Sequence, residues 1–216
     1  ICYSLLSRLT SSVFLMKKTD LVVKSNNLIQ AGYTLSLVEQ RLILLAIVEA
    51  RETKLGISAD AYLTVHASAY AHQFDVTLEA AYAALSHAAD TLFERQVTFY
   101  DKDEKTGKVR RNKTRWVSKV GYVESAANVQ LIFAPDIVPE VTRLESNFTK
   151  YDLEQVSGLK SAYAVRLYEL LIQWRSIGRT PVFSMQIFRE QLGLHPDEYL
   201  RIHHLKARVL DLAVNQ

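Results

Sequence analysis

The stretch KDEKTGKVRRNKTRW, from Lys102 to Trp116, holds the densest charge in the chain. Seven of its fifteen residues are Lys or Arg. From Arg95 to Lys119, nine Lys or Arg stand against three Asp or Glu. Cations grouped in this way neutralise phosphates and release condensed counterions, which makes binding steeply salt-dependent. The flanking runs read as β-strands, so the stretch reads as the tip of a hairpin. A tight hairpin needs about two to five loop residues, whereas this tip spends about a dozen. Lys108, Arg110, Arg111, Lys113 and Arg115 are its candidate phosphate or minor-groove contacts. A solvated charged loop is the plain alternative.

A second basic group lies near the C-terminus. Tyr199 to about Val214 reads as a helix with Leu205, Val209 and Leu212 toward the core. Arg201, His203, His204, Lys206 and Arg208 project from it. In a helix-turn-helix, the N-terminal residues of the second helix meet base edges in the major groove. Arg is the usual partner of guanine O6 and N7. An ordinary amphipathic surface helix is the alternative here.

Catalytic signatures are missing from the sequence. It has no G-x-x-x-x-G-K-[ST], no G-x-G-x-x-G and no H-E-x-x-H. His203 and His204 lack the one-residue spacer that sets two histidines on one side of a strand. His66 and His72 are six apart across a strand-to-helix junction. Asp101, Asp103 and Glu104 form the tightest acidic group, but lysines surround them. The single cysteine, Cys2, excludes an intramolecular disulfide and a Cys-based zinc site. It fits a reducing, cytoplasmic setting. The expectation is no enzyme, no cofactor and no metal.

The elements that position the basic groups can be read in order. Of the 216 residues, 49% are apolar and 23% charged, so a packed core is affordable. Ser36-Leu37-Val38-Glu39 is a capping box opening a helix that is apolar on several sides. Leu63 to Ser68 reads as a strand, Ser68 to Phe74 as a short helix and Asp75 to Thr77 as a turn. Leu78 to Phe93 is a longer helix with Tyr82, Leu85, Ala88, Ala89 and Leu92 on one face. This is a helix-turn-helix. RQVTFYD, KTRWVSKVGYV and NVQLIFAP then alternate as a three-stranded meander, making the basic hairpin a wing. Trp116 and Trp174 read as core, and Arg175 and Arg189 as surface charges. Pro135 to Tyr151 reads as a helix through Ile137, Val141, Leu144 and Phe148, and Asp152 to Gly158 as a linker. Ser161 to Arg175 is an amphipathic helix stopped by Gly178. TPVFS is a strand, and Ser184 to Leu192 a short helix.

The two halves share an order of elements, and their last helices align. Tyr82, Leu85, His87, Ala88 and Leu92 fall opposite Tyr199, Ile202, His204, Leu205 and Val209. A duplicated winged-helix module explains this order. The expected fold class is α+β: tandem winged-helix domains, the second truncated before its wing. Residues 16–150 are the first domain and 151–216 the second. The stretch 1–15, ICYSLLSRLTSSVFL, is too short to span a bilayer. It shows no signal-peptide pattern. Met16 reads as the natural start, with residues 1–15 an upstream extension; a hydrophobic dimerisation arm is the rival. No membrane association is expected.

Two long segments carry a family resemblance. VVKSNNLIQAGYTLSLVEQRLILLAIVEARE, Val22 to Glu52, resembles the N-terminal signature of the iteron-binding plasmid replication initiators. SGLKSAYAVRLYELLIQWRSIGRTPVFSMQIFREQLGL, with LKARVLDLAVNQ after it, resembles the start of their second domain. The likeness extends to initiators of small circular plasmid-like DNAs such as the bovine meat and milk factors. It implies binding of double-stranded DNA: direct repeats at an origin, and an inverted-repeat operator bound by a dimer that represses its own gene. It implies a homodimer formed through the first domain, and the host initiator and helicase as partners. Arg201, Lys206 and Arg208 become the base-contact candidates, and Lys108, Arg110, Arg111, Lys113 and Arg115 the first-domain contacts. Family members continue beyond VNQ into a hairpin, so weak DNA binding or none is expected of the second domain of this chain. A winged-helix repressor and a self-assembling interaction module are the competing readings.

Overall fold

The computed structural model describes residues 20–56, 58–142 and 146–216. The readings of residues 1–15, Met16, Cys2 and Leu144 lie outside these residues. Strand β1 (Leu21–Ser25) runs into the one-turn helix α1 (Asn26–Gln30), whose N-cap is the Ser25 hydroxyl. A two-residue strand, β2 (Gly32–Tyr33), leads to α2 (Leu37–Thr53). The capping box is present: Glu39 N–H donates to the Ser36 hydroxyl at 3.2 Å, and Ser36 N–H donates to the Glu39 carboxylate at 2.6 Å. Glu39 also accepts from Arg95 at 2.8 Å and from the Thr91 hydroxyl at 2.6 Å. Burial pushes its carboxyl up, but the bonds from Arg95 and Thr91 outweigh that and hold it below the ordinary value. Leu42 to Val48 is buried throughout, so α2 is the central rod of the main core.

The helix-turn-helix follows as expected. Strand β3 (Leu63–His66) precedes α3 (Ala67–Phe74) and α4 (Leu78–Leu92), which the Thr77 hydroxyl caps. Ala81, Leu85, Ala88, Ala89 and Leu92 face the core, whereas Tyr82 turns outward at 36% exposure.

The expected meander is instead two hairpins in two sheets. Strands β4 (Gln96–Lys102) and β5 (Val109–Arg115) pair, and β4 also pairs with β2. Strands β6 (Val117–Val123) and β7 (Asn128–Phe133) pair, and β7 also pairs with β3. Trp116 is the crossing point. It is fully buried, edge-on to Tyr33 at 4.9 Å, and its N–H and C=O bond Arg95 and Ala134 rather than a strand partner. The alternating pattern ran through Trp116 because both sheets bury it. The hairpin that completes the sheet of the helix-turn-helix is therefore β6–β7, with the tip Glu124–Ala127. The basic hairpin is β4–β5 and belongs to the other sheet. Its strands are long and its turn short: Gly107, at φ +67°, helps close Asp103 to Lys108. Most of the basic stretch is strand, not tip.

The helix read from Pro135 to Tyr151 is also corrected. Among the described residues of that stretch only α5 (Val138–Val141) is helical, and Phe148–Asp152 is strand β8, antiparallel to β1 across its whole length. Thr149 and Tyr151 are buried while Phe148 and Lys150 are exposed, a period of two. The supposed linker contains α6 (Glu154–Ser157) and buries Leu153 and Val156.

Helix α7 (Ala162–Ile172), capped by Ser161, carries the largest polar group of the interior. Glu169 accepts from Lys24 Nζ at 2.6 Å and from the Tyr151 hydroxyl at 2.6 Å. Its other oxygen accepts from Arg166 at 2.8 Å and from the Tyr33 hydroxyl at 3.3 Å. Arg166 also donates to the carbonyls of Ile29, Ala31 and Gln191. The resulting cluster ties β1, β2 and β8 to α7 and to α8 (Met185–Gln191).

The C-terminal helix starts at Ile202 rather than Tyr199. It comprises α9 (Ile202–Leu205), a π-helical turn Lys206–Leu210 and α10 (Asp211–Val214). Leu205 and Val209 are buried with Leu167, Leu170, Leu192 and Leu194 in a second, smaller core. Leu212 is 57% exposed, because the wide π turn rotates it off the buried stripe. TPVFS forms no strand. Trp174 is half-buried rather than core. Arg189 is not a free surface charge: it donates to the carbonyls of Glu198 and Tyr199.

Burial pushes the Glu169 carboxyl up, but the charges of Lys24 and Arg166 outweigh it and hold the group at about 2. A carboxyl lowered in the folded state adds stability that is complete above its unfolded value and lost as pH falls through the folded one. The window here runs from about 4.5 down to about 2. Glu169→Gln leaves Lys24 and Arg166 buried without a counter-charge and should cost roughly 3–5 kcal/mol at neutral pH. Denaturant unfolding of both proteins between neutral pH and pH 3 checks this: the wild-type advantage should shrink on acidification.

Candidate nucleic-acid interface

The register of the basic hairpin decides what its cations face. Asp101 lies opposite Arg110, and Tyr100 opposite Arg111. Successive residues point to opposite faces, so Arg110 and Asn112 share one face, and Arg111 and Lys113 the other. On the first face, Arg110 forks onto Asp101 at 3.0 and 2.8 Å, and Asn112 adds a bond to the same carboxylate. These bonds lower the Asp101 carboxyl, with Arg110 the main cause. At the base of the hairpin, Arg115 lies over the Phe93 ring and donates to the Phe93 carbonyl and to Glu94. Arg110 and Arg115 therefore brace the hairpin. Lys108 stands exposed in the turn.

Arg111 and Lys113 line a groove of about 880 Å3 between the hairpin and α8. Neither has an ion pair among the described residues. Arg95, Arg189 and His195 share this lining with Glu94 and Glu190. The groove adjoins a second cavity of about 510 Å3 walled by Phe99, Val109 and Ile187. Tyr100 and Glu190 line both cavities, and the Tyr100 hydroxyl donates to Glu190 at 2.9 Å between them.

The second basic group lies on the helix from Ile202. Arg201, His203, Lys206 and Arg208 are exposed, and His204 is half-buried. The rings of His203 and His204 meet edge-on at 4.2 Å. Lys206 is paired with Asp211 at 2.6 Å; Arg201 and Arg208 have no ion pair among the described residues. The structure thus brings together two sets: His203, His204, Lys206 and Arg208 on one helix with Arg201 at its N-cap, and Lys108, Arg110, Arg111, Lys113 and Arg115 on one hairpin.

The first helix-turn-helix carries no comparable charge. From Leu55 to Glu94 there is no Lys or Arg, and five carboxylates are present. The outer side of α4 offers Leu78, Glu79, Tyr82 and Asp90. The basic residues of the second helix-turn-helix and of the hairpin have no counterpart there. Sequence reading missed the contribution of Arg95, Tyr100, Arg189 and Glu190 to the groove. Arg95 was visible as the first cation of the basic stretch; nothing local marked Glu190.

Residues 21–172 match the family described as initiator replication protein, WH1. The chain belongs to this initiator family. A replication initiation protein of Escherichia coli is 26% identical over 171 residues, 78% of this chain and 52% of that protein. The chain therefore spans about half the length of that relative. An uncharacterized 27.6 kDa protein of Escherichia coli is 25% identical over 210 residues, 94% of this chain and 86% of that protein. Among solved structures, the Pi initiator protein in complex with iteron DNA is similar at a TM-score of 0.69. It is 17% identical, with 92% of this chain and 85% of that chain covered. The WH1 domain of the replication protein MSBI1.176 is 53% identical over 54% of this chain and 88% of its own, at a TM-score of 0.44. The initiator fold is thus a mixed α and β, winged-helix one.

In this initiator, two glycines set α8 against β2. A Cβ on Gly193, which has φ +80°, would stand 2.5 Å from the Tyr33 carbonyl oxygen. A Cβ on Gly32 would stand 2.6 Å from Glu190 Cγ. The Thr34 hydroxyl donates to the Gly193 carbonyl at 2.8 Å in the same seam. Gly193→Ala should therefore cost about 1–3 kcal/mol through the left-handed backbone alone, with the clash adding to it. Denaturant unfolding measures the loss. A variant as stable as wild type would show that the seam is not closely packed.

Proposed function

We propose that this plasmid replication initiator binds repeated origin duplex through the helix from Ile202 and holds the adjoining backbone with the free cations of the basic hairpin. The observation that carries this is the contrast between the two helix-turn-helix units. One has no Lys or Arg across forty residues; the other exposes Arg201, His203, Lys206 and Arg208 on a single helix whose opposite side is buried. The family and the likeness to a Pi initiator solved with iteron DNA support the same reading. Arg201 and Arg208 are the base-contact residues, because their guanidinium groups are not committed to a carboxylate. Lys108, Arg111 and Lys113 supply phosphate contacts, with Arg110 and Arg115 holding the hairpin in shape.

The family also supports a division of labour in which the first unit, within residues 16–150, dimerises and the second, from residue 151, reads DNA. A dimer on an inverted repeat would then repress the initiator gene. The host initiator and helicase are the partners at the origin, in the cytoplasm. No helix among the described residues is long and apolar enough to cross a membrane.

Fluorescence anisotropy with duplex carrying the origin repeats, against scrambled duplex, at several salt concentrations tests the proposal. Arg208→Ala and Arg201→Ala should each lose about 1–3 kcal/mol of preference for the repeats. Lys108→Ala should weaken both duplexes alike and reduce the salt slope by about one. Equal binding of repeats and scrambled duplex at every salt concentration would exclude sequence-specific initiation by this surface.

A further inference from the structure

We infer that the cleft between the basic hairpin and α8 is a nucleotide-binding site, with phosphates on Arg111, Lys113 and Arg189 and the base in the adjoining chamber walled by Phe99 and Tyr100. The inference rests on the cleft and not on the reading of duplex by the helix from Ile202.

Size is the first argument. The two chambers share Gly32, Tyr100, Gln186 and Glu190 in their walls and measure about 880 and 510 Å3. That range suits a small ligand, and a nucleotide seated there competes with duplex backbone for Arg111 and Lys113.

Charge is the second. On β5, Arg110 and Arg115 are each paired with a carboxylate, whereas the two cations that line the cleft are not. Arg110 is forked onto Asp101, whereas Arg111 and Lys113 have no ion pair among the described residues. Across the cleft, Arg189 is held by the carbonyls of Glu198 and Tyr199, so its guanidinium is fixed before any ligand arrives. The charged lining counts Arg95, Arg111, Lys113 and Arg189 against Glu94 and Glu190. Glu94 is already engaged by Arg115 and Arg95 by Glu39.

Glu190 makes the choice among anions. A carboxylate inside a cationic cleft weakens the hold on a bare anion. It gains from a ligand that also brings donors, such as sugar hydroxyls or an exocyclic amino group. Gly32 is what admits Glu190 so closely to β2. The neighbouring chamber pairs aromatic and apolar walls with Asn27 and Gln30, whose amide nitrogens already donate to Glu140 and Gln173, leaving their amide oxygens as acceptors for a base. A ligand with an anionic end, donor groups in the middle and a flat apolar end meets all three features.

Calorimetric titration of the whole protein with ATP and with inorganic triphosphate, at low salt, tests the inference. Saturable binding of ATP is expected, with triphosphate several-fold weaker. Arg111→Ala/Lys113→Ala alters two unpaired side chains; its fold is confirmed by thermal melting, and it should bind ATP at least tenfold more weakly. Arg208→Ala should bind ATP as wild type does, even where it loses preference for origin repeats, so this site and the duplex-reading surface fail separately. No saturable binding, triphosphate as tight as ATP, or an unaffected double variant would each overturn the inference.

Discussion

Glu169 is the constraint on which the rest of the molecule depends. Its carboxylate is buried and meets Lys24, Arg166, Tyr33 and Tyr151, which come from three strands and its own helix. A buried charge is tolerated only when it is paired and its remaining lone pairs are satisfied. Each of these residues is therefore confined by the others. Arg166 carries the constraint onward, because its remaining donors bond the carbonyls of Ile29, Ala31 and Gln191. The end of α8 is thus placed relative to β2 by charge, and the glycine seam at Gly32 and Gly193 makes that placement close. The orientation of the second helix-turn-helix, and the width of the cleft beside the basic hairpin, follow from it.

Much of the fold was legible because its signals are local. The Ser36 capping box, the Thr77 cap, the α3–α4 turn and the amphipathic α7 all appear where spacing put them. The failures share a cause: they are set by partners far away in sequence. Phe148–Asp152 has the apolar spacing of a helix end, yet β1, more than a hundred residues earlier, claims it as a strand. Trp116 continues an alternating pattern through a break that only the existence of two sheets explains. Nothing in the sequence around Lys24, Arg166 or Glu169 marks them as interior, because burial of each is permitted only by the others.

The candidate site was legible in its composition and not in its geometry. The basic residues were visible, and most of the set at the helix from Ile202 is exposed. The hairpin divides its set instead, into bracing pairs and cleft-lining cations, according to strand register and to the position of Glu94, which the loop reading could not supply. The contrast between the two helix-turn-helix units was present in the sequence all along, as the absence of Lys and Arg from Leu55 to Glu94. Its meaning required knowing that the basic hairpin is not the one completing that unit's sheet.

Native-state hydrogen exchange tests most directly whether the buried ionic cluster welds the second helix-turn-helix to the first sheets. The amides of Val165 to Leu170 and of Leu192 to Leu194 should open with the same free energy and the same denaturant dependence as Leu42 to Val48 in α2, as one cooperative unit. If those segments instead exchange through a much smaller opening while α2 stays protected, the two halves are hinged. The cluster would then be a local contact and not the constraint that sets the cleft.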